Sequence, residues 1–101
     1  ENAAYLGVVT ADLSTEAIQM YDMPEGAFVI RVEKNSAAGK AGIQKGDIIV
    51  SFDGQTVSGK DDLESKLAYY ASGETVDVVV SRADNGEYVQ KTISVTLGSK
   101  N

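Results

Sequence analysis

The chain has 101 residues, 43% of them apolar and 24% charged, which suits one domain with one core and argues against disorder. The formal net charge of −6 argues against nucleic acid and anionic membrane surfaces as partners, because both need basic patches. With neither cysteine nor histidine, disulfides, thiolate metal sites and every Ser-His-Asp or Cys-His device are ruled out, and the redox compartment is left open.

The first organised stretch is Tyr5-Leu6-Gly7-Val8-Val9-Thr10. A single glycine permits a tight turn and a close backbone approach, and the β-branched residues after it favour a strand. The N–H groups around Gly7 are placed to form a small anion nest. Asp12 to Glu16 reads as a helix start, with Ser14 or Thr15 as the cap. That helix covers two turns at most, around Thr15–Tyr21, and Pro24 closes the segment. It follows the first strand directly and is expected to pack on the sheet. Gly26 releases a strand over Ala27–Glu33, in which the period of two puts Phe28, Ile30 and Val32 on one face.

Ser36–Ala41 reads as one tight helical turn, capped by Ser36 and stopped by Gly42. Ile48-Ile49-Val50-Ser51-Phe52 is the most apolar run and the best candidate for a buried central strand. Asp53-Gly54 turns the chain into Gln55-Thr56-Val57. Ser58 and Asp61 form a capping-box pattern before a helix over Lys60–Ala71, with Leu63, Leu67 and Tyr70 on one stripe. Tyr69 and Tyr70 cannot both point inward. Two long strands follow, Thr75–Arg82 and Tyr88–Leu97, joined at Asn85-Gly86, and the tail from Gly98 is expected to fray. Asp12, Asp47 and Asp53 read as turn and cap residues. Connections this short imply an α+β fold with a mainly antiparallel sheet of about five or six strands, a partly open barrel or sandwich.

The run Gly42-Ile43-Gln44-Lys45-Gly46-Asp47-Ile48-Ile49-Val50-Ser51-Phe52-Asp53-Gly54 resembles the signature of PDZ domains. The small-residue turn before it and the capped helix after it agree with that, and the resemblance covers residues 4–97. Within the family, Tyr5-Leu6-Gly7-Val8 is similar to the carboxylate-binding loop of bacterial HtrA/DegP-type serine proteases, whose strand order is permuted. Residues 1–3 and 98–101 are then flexible ends, and a chain opening on Glu1-Asn2 is expected to be a fragment. Tyr88–Leu97 is the expected supplier of the strand that leads into the loop in space. One departure is that Asn2-Ala3-Ala4 stands where such loops often carry a basic residue.

The resemblance implies a peptide-binding module. Hydrophobic C-termini of unfolded or partner proteins would add as a strand along Val8-Val9-Thr10, with the carboxylate at Tyr5, Leu6, Gly7 and Val8 and the groove helix supplying Leu63, Lys66, Leu67 and Tyr70. Lys66 would favour an acidic ligand residue, and Leu6→Glu is expected to abolish binding while sparing the fold. No catalytic residue, metal or cofactor is implied. The linked protein is expected to be an extracytoplasmic, membrane-tethered serine protease, with its protease domain as a partner and a homo-oligomer through that parent. Rival readings are a regulatory or assembly module with a self-occupied groove, and a domain of a carboxy-terminal processing or intramembrane metalloprotease.

Overall fold

The computed structural model describes residues 4–99. In chain order they form β1 (Ala4–Tyr5), β2 (Val8–Asp12), α1 (Thr15–Tyr21), β3 (Ala27–Val32), α2 (Ala37–Ala41), β4 (Ile48–Phe52), β5 (Gln55–Thr56), α3 (Lys60–Leu67), β6 (Thr75–Asp84), β7 (Glu87–Thr96) and β8 (Gly98–Ser99). Among the described residues every strand pairing is antiparallel. The main sheet runs β2-β3-β4-β6-β7, with β5 beside β4, while β1 and β8 make a separate small sheet. This is the antiparallel α+β architecture expected from the short connections. None of the helices described is long and apolar enough to cross a membrane.

The apolar run of β4 lies at the centre of the sheet, where Ile48, Ile49 and Phe52 are fully buried. Leu6, Ile43, Leu63 and Leu97 and the inward valines of the strands pack around them. Two-residue turns at Asp53-Gly54 and Asn85-Gly86 have positive φ at both positions, the mirror-image turn that matches strand twist. Ser36 caps α2 by accepting from the Gly39 N–H at 3.1 Å, and Gly42 ends it in the left-handed region.

Beneath Asp47 lies a contact beyond the expected turn. Asp47 accepts from the Gln44 N–H, as a turn residue should, but it is only 1% exposed and also takes two hydrogen bonds from Arg82, at 2.9 and 2.7 Å. Arg82 additionally donates to the Gly42 carbonyl. One partly buried ion pair thus ties the end of α2 and the start of β4 to β6. The guanidinium is held above its ordinary pKa by the hydrogen bonds to Asp47.

Several local expectations are corrected. In β3 the inner residues are Ala27 and Val29, whereas Ile30 is 42% exposed. Val9 faces Arg31 and Thr10 faces Val29, so Ile30 is an extra residue at a bulge. The insertion resets the period of two, and Val32 returns to the core side. Helix α1 is capped by Ser14, one of the two expected caps; none of its residues is fully buried, and Ala17 and Ile18 are half-buried. Helix α3 stops at Leu67 rather than Ala71, because Tyr69 and Tyr70 donate to the carbonyls of Lys66 and Leu67, three residues back, and the last turn tightens. Its expected Ser58–Asp61 box is not formed. Asp62 reaches back to the Ser58 N–H at 2.9 Å, and the Lys60 N–H is capped across the chain by Asp12 at 2.8 Å. Gly98 and Ser99 pair with β1 instead of fraying, so the strand beside Ala4–Tyr5 is β8 rather than Tyr88–Leu97. Residues 1–3 and 100–101 lie outside the described residues.

Candidate functional site

Strand β2 is the last strand on one side of the main sheet, and among the described residues its outer edge has no strand partner. The chain enters it through Leu6 and Gly7. The Leu6 carbonyl accepts from the Ala38 N–H and the Gly7 carbonyl from the Glu33 N–H, both at 2.8 Å. In a planar trans peptide the C=O and the next N–H point opposite ways. The Gly7 and Val8 N–H groups are therefore turned away from α2 and β3, towards the open side. By the alternation of an antiparallel pair, Val8 and Thr10 present their N–H and C=O groups to the free edge, while Val9, opposite Arg31, faces inward.

Gly7 is what makes this loop possible. Its φ is +91°, and a Cβ there would lie 2.1 Å from the Ser36 Cβ and 2.6 Å from its Oγ. Only a glycine lets the loop press onto the start of α2 in this conformation. Ser36 is itself fixed by donating its hydroxyl to the Glu33 carbonyl at 2.7 Å. Tyr5, at the front of the loop, donates its hydroxyl to Glu33 Oε1 at 2.6 Å. That bond holds the phenol above its ordinary pKa and keeps it a donor.

Between the loop and α3 lies a cavity of about 170 Å³, lined by Tyr5, Leu6, Gly7, Val8, Leu63, Glu64 and Leu67. Cavities of about 150 Å³ hold a benzene-sized group, so one aliphatic side chain fits. The backbone N–H groups at its mouth suit an anion. Together the site is a mostly apolar cavity, with Glu64 on its wall, beside a strand edge that has no partner strand among the described residues. Among the described residues no group of acidic side chains has metal-binding geometry.

The structure brings Tyr5, Leu6, Gly7, Val8, Leu63 and Leu67 together at this cavity, with Val9 and Thr10 continuing the edge. It does not bring Lys66 and Tyr70 there. Both line a separate depression of about 590 Å³ with Gln55, Ser65 and Tyr69. At 100° per residue, Lys66 is turned about 100° from Leu67 and away from Glu64. Lys66 pairs with Asp62 at 2.9 Å, and that contact holds the Asp62 carboxyl below its usual range. Tyr70 lies past the end of the helix. It packs edge-on against Phe52 at 5.1 Å and donates to Asp53 at 2.6 Å, which raises its own pKa. Tyr69 is 88% exposed. Leu6 is 1% exposed and belongs to the core, so Leu6→Glu would bury a carboxylate and disturb the fold it was expected to spare. Two residues were missed from sequence. Glu64 is detectable only once the helix face is known, and Glu33 lies 28 residues from Tyr5 with no local signal.

An antiparallel sheet left open at one edge, a glycine loop feeding that edge and a helix alongside define the PDZ class of fold. Residues 4–97 match the family model described as PDZ domain, and the chain belongs to the PDZ domain family. It is 36% identical over 99 residues to a probable periplasmic serine endoprotease, DegP-like, of Marinomonas sp. (strain MWYL1), covering 96% of this chain and 20% of that protein. It is 30% identical over 96 residues to a protein of the same description from Halomonas elongata, covering 93% of this chain and 19% of the relative. The chain thus spans about a fifth of the length of these curated relatives. Among solved structures it is similar to the HtrA-type protease AlgW with decapeptide, at a TM-score of 0.82 and 25% identity, over 98% of this chain and 30% of that one. The HtrA3 PDZ domain bound to a phage-derived ligand (FGRWV) shares the fold, with a TM-score of 0.75 and 21% identity over 93% and 84% of the two chains. The chain is therefore a PDZ domain of the kind found in DegP-like proteases.

Proposed function

We propose that residues 4–97 form a module that captures hydrophobic C-terminal segments by strand addition to β2. The observation that carries this reading is the pairing of outward Gly7 and Val8 N–H groups with the cavity lined by Leu6, Val8, Leu63 and Leu67. The ligand carboxylate accepts from the loop, its last side chain fills the cavity, and its backbone pairs with Val8 and Thr10. Burial of a Val- or Leu-sized group contributes roughly 1.5–3 kcal/mol. Charge-assisted bonds at the carboxylate contribute a comparable amount. After association costs the expected affinity is micromolar, on the order of −8 kcal/mol.

In this reading the module serves substrate recognition or regulation of a linked HtrA-like serine protease outside the cytoplasm. The support is that the relatives are named periplasmic serine endoproteases and that two neighbours in fold carry peptides. The test is calorimetric titration with FGRWV as free acid and as amide. The free acid is expected to bind at least about tenfold tighter, and Leu67→Glu at the cavity wall to abolish that binding. Equal binding of both forms, or binding of neither, refutes the proposal.

A further inference from the structure

We propose that Glu33 is the positioning residue of the carboxylate loop, holding it through Tyr5 while its charge weakens the binding of the very anion the loop accepts. The inference rests on the groove reading above and deepens it. Glu33 brackets the loop on both sides. Its backbone N–H donates to the Gly7 carbonyl at 2.8 Å, which turns the Val8 N–H outward. Its side chain accepts from Tyr5, the residue just before Leu6, at 2.6 Å. Its carbonyl accepts from both the N–H and the hydroxyl of Ser36, the residue onto which Gly7 is pressed. Tyr5 in turn belongs to the walls of two cavities, the apolar one beside Gly7 and a basin of about 560 Å³ shared with Glu33 and Ser36. The Tyr5–Glu33 bond fixes that partition.

The placement is electrostatically adverse. Where a cation would help a carboxylate ligand, the loop is backed by an anion. Lys34 and Lys40 line the basin on the far side of Tyr5 and not the cavity beside Gly7, and Arg31 lies 4.0 Å from Glu33 with its side chain 70% exposed. Such an exposed pair is screened and does little to neutralise Glu33. Glu33 therefore acts with two opposite signs, and substitution separates them. Glu33→Gln keeps an oxygen that accepts from Tyr5 and removes the charge. Glu33→Ala removes both. Tyr5→Phe removes the bond and leaves the charge.

The experiment measures affinity for FGRWV, free acid and amide, at low and high salt. Melting curves establish that each variant is folded. Glu33→Gln is expected to bind the free acid about two- to fivefold tighter than the wild type at low salt, and equally at high salt. Glu33→Ala is expected to bind about threefold to tenfold more weakly than Glu33→Gln at either salt. Tyr5→Phe is expected to weaken the wild type, and to add nothing in the Glu33→Ala background. Equal affinities for the Gln and Ala variants overturn the positioning role, as does a full additive effect of Tyr5→Phe. If the wild type does not distinguish free acid from amide, the groove reading itself fails. The amide resonances of Gly7 and Val8 in the unliganded protein then still report on the loop. They are expected to shift in Glu33→Ala and Tyr5→Phe and to stay in Glu33→Gln, and no shift in any variant overturns the inference.

Discussion

Replacing Gly7 by alanine is the sharpest probe of the loop. The left-handed φ of +91° costs an L-residue about 1–2 kcal/mol. The added methyl would also lie 2.1 Å from the Ser36 Cβ, against a comfortable carbon–carbon separation of about 3.5–4.0 Å. Either the loop or the start of α2 has to move by about 1.5 Å. Overpacking of that kind costs a further 1–3 kcal/mol or so, for a total of roughly 2–5 kcal/mol. That is a large share of the roughly 5–15 kcal/mol that holds a domain together. Gly42 provides the control, because its φ is +103° and nothing lies within 4 Å of the position a Cβ would take. Gly42→Ala is expected to lose only the backbone part, about 1–2 kcal/mol. Urea denaturation of both variants measures the difference, and peptide titration should show loss of free-acid binding in Gly7→Ala alone. If the two variants lie within about 0.5 kcal/mol of each other, the close approach to Ser36 does not hold the loop and the reasoning is wrong.

Three further outcomes are expected. Arg82→Ala leaves the buried Asp47 carboxylate without its ion-pair partner and should destabilise the domain by about 3–5 kcal/mol in urea melts; a loss under about 1 kcal/mol would mean that the pair is effectively solvated. Glu64 is the charged side chain on the cavity wall, so peptides carrying Lys near the C-terminus should bind better than those carrying Glu, by about 1.5- to fivefold, and Glu64→Lys should invert the order; an unchanged order shows that Glu64 points away from the ligand. Tyr5 and Tyr70 both have raised pKa values because each donates to a carboxylate, Glu33 and Asp53 respectively. A raised folded pKa stabilises below the unfolded value of about 10 and loses that contribution as pH climbs through the folded value. The melting temperature should therefore fall above about pH 10, less steeply in Tyr5→Phe/Tyr70→Phe, and parallel pH curves would contradict the assignment.

The glycine in Tyr5-Leu6-Gly7-Val8, the apolar run of β4 and the two turns with positive φ were legible because each is a local preference of consecutive residues. Their spacing also carried the family resemblance, while the short connections between them pointed to the antiparallel fold. Phase was harder to read. The bulge at Ile30 inverted the expected face of β3, since an insertion opposite β2 exists only when the two strands pair. The tightened end of α3 removed Tyr70 from the stripe it seemed to share with Leu63 and Leu67, while helical rotation set Lys66 against Asp62 and the depression beside Tyr70.

By itself, then, the sequence determined most of the elements and the glycine turn, through backbone propensity and periodicity that act over a few residues, and its motif order carried the family resemblance. Apart from local pairs such as Lys66–Asp62, the partners of several key carboxylates were decided by tertiary structure alone. Asp12 caps a helix 48 residues away, Asp47 is neutralised 35 residues away, and Glu33 reaches Tyr5 across 28. Hydrogen bonds and ion pairs are made between groups brought close in space, and separation along the chain carries no trace of which carboxylate will meet which donor.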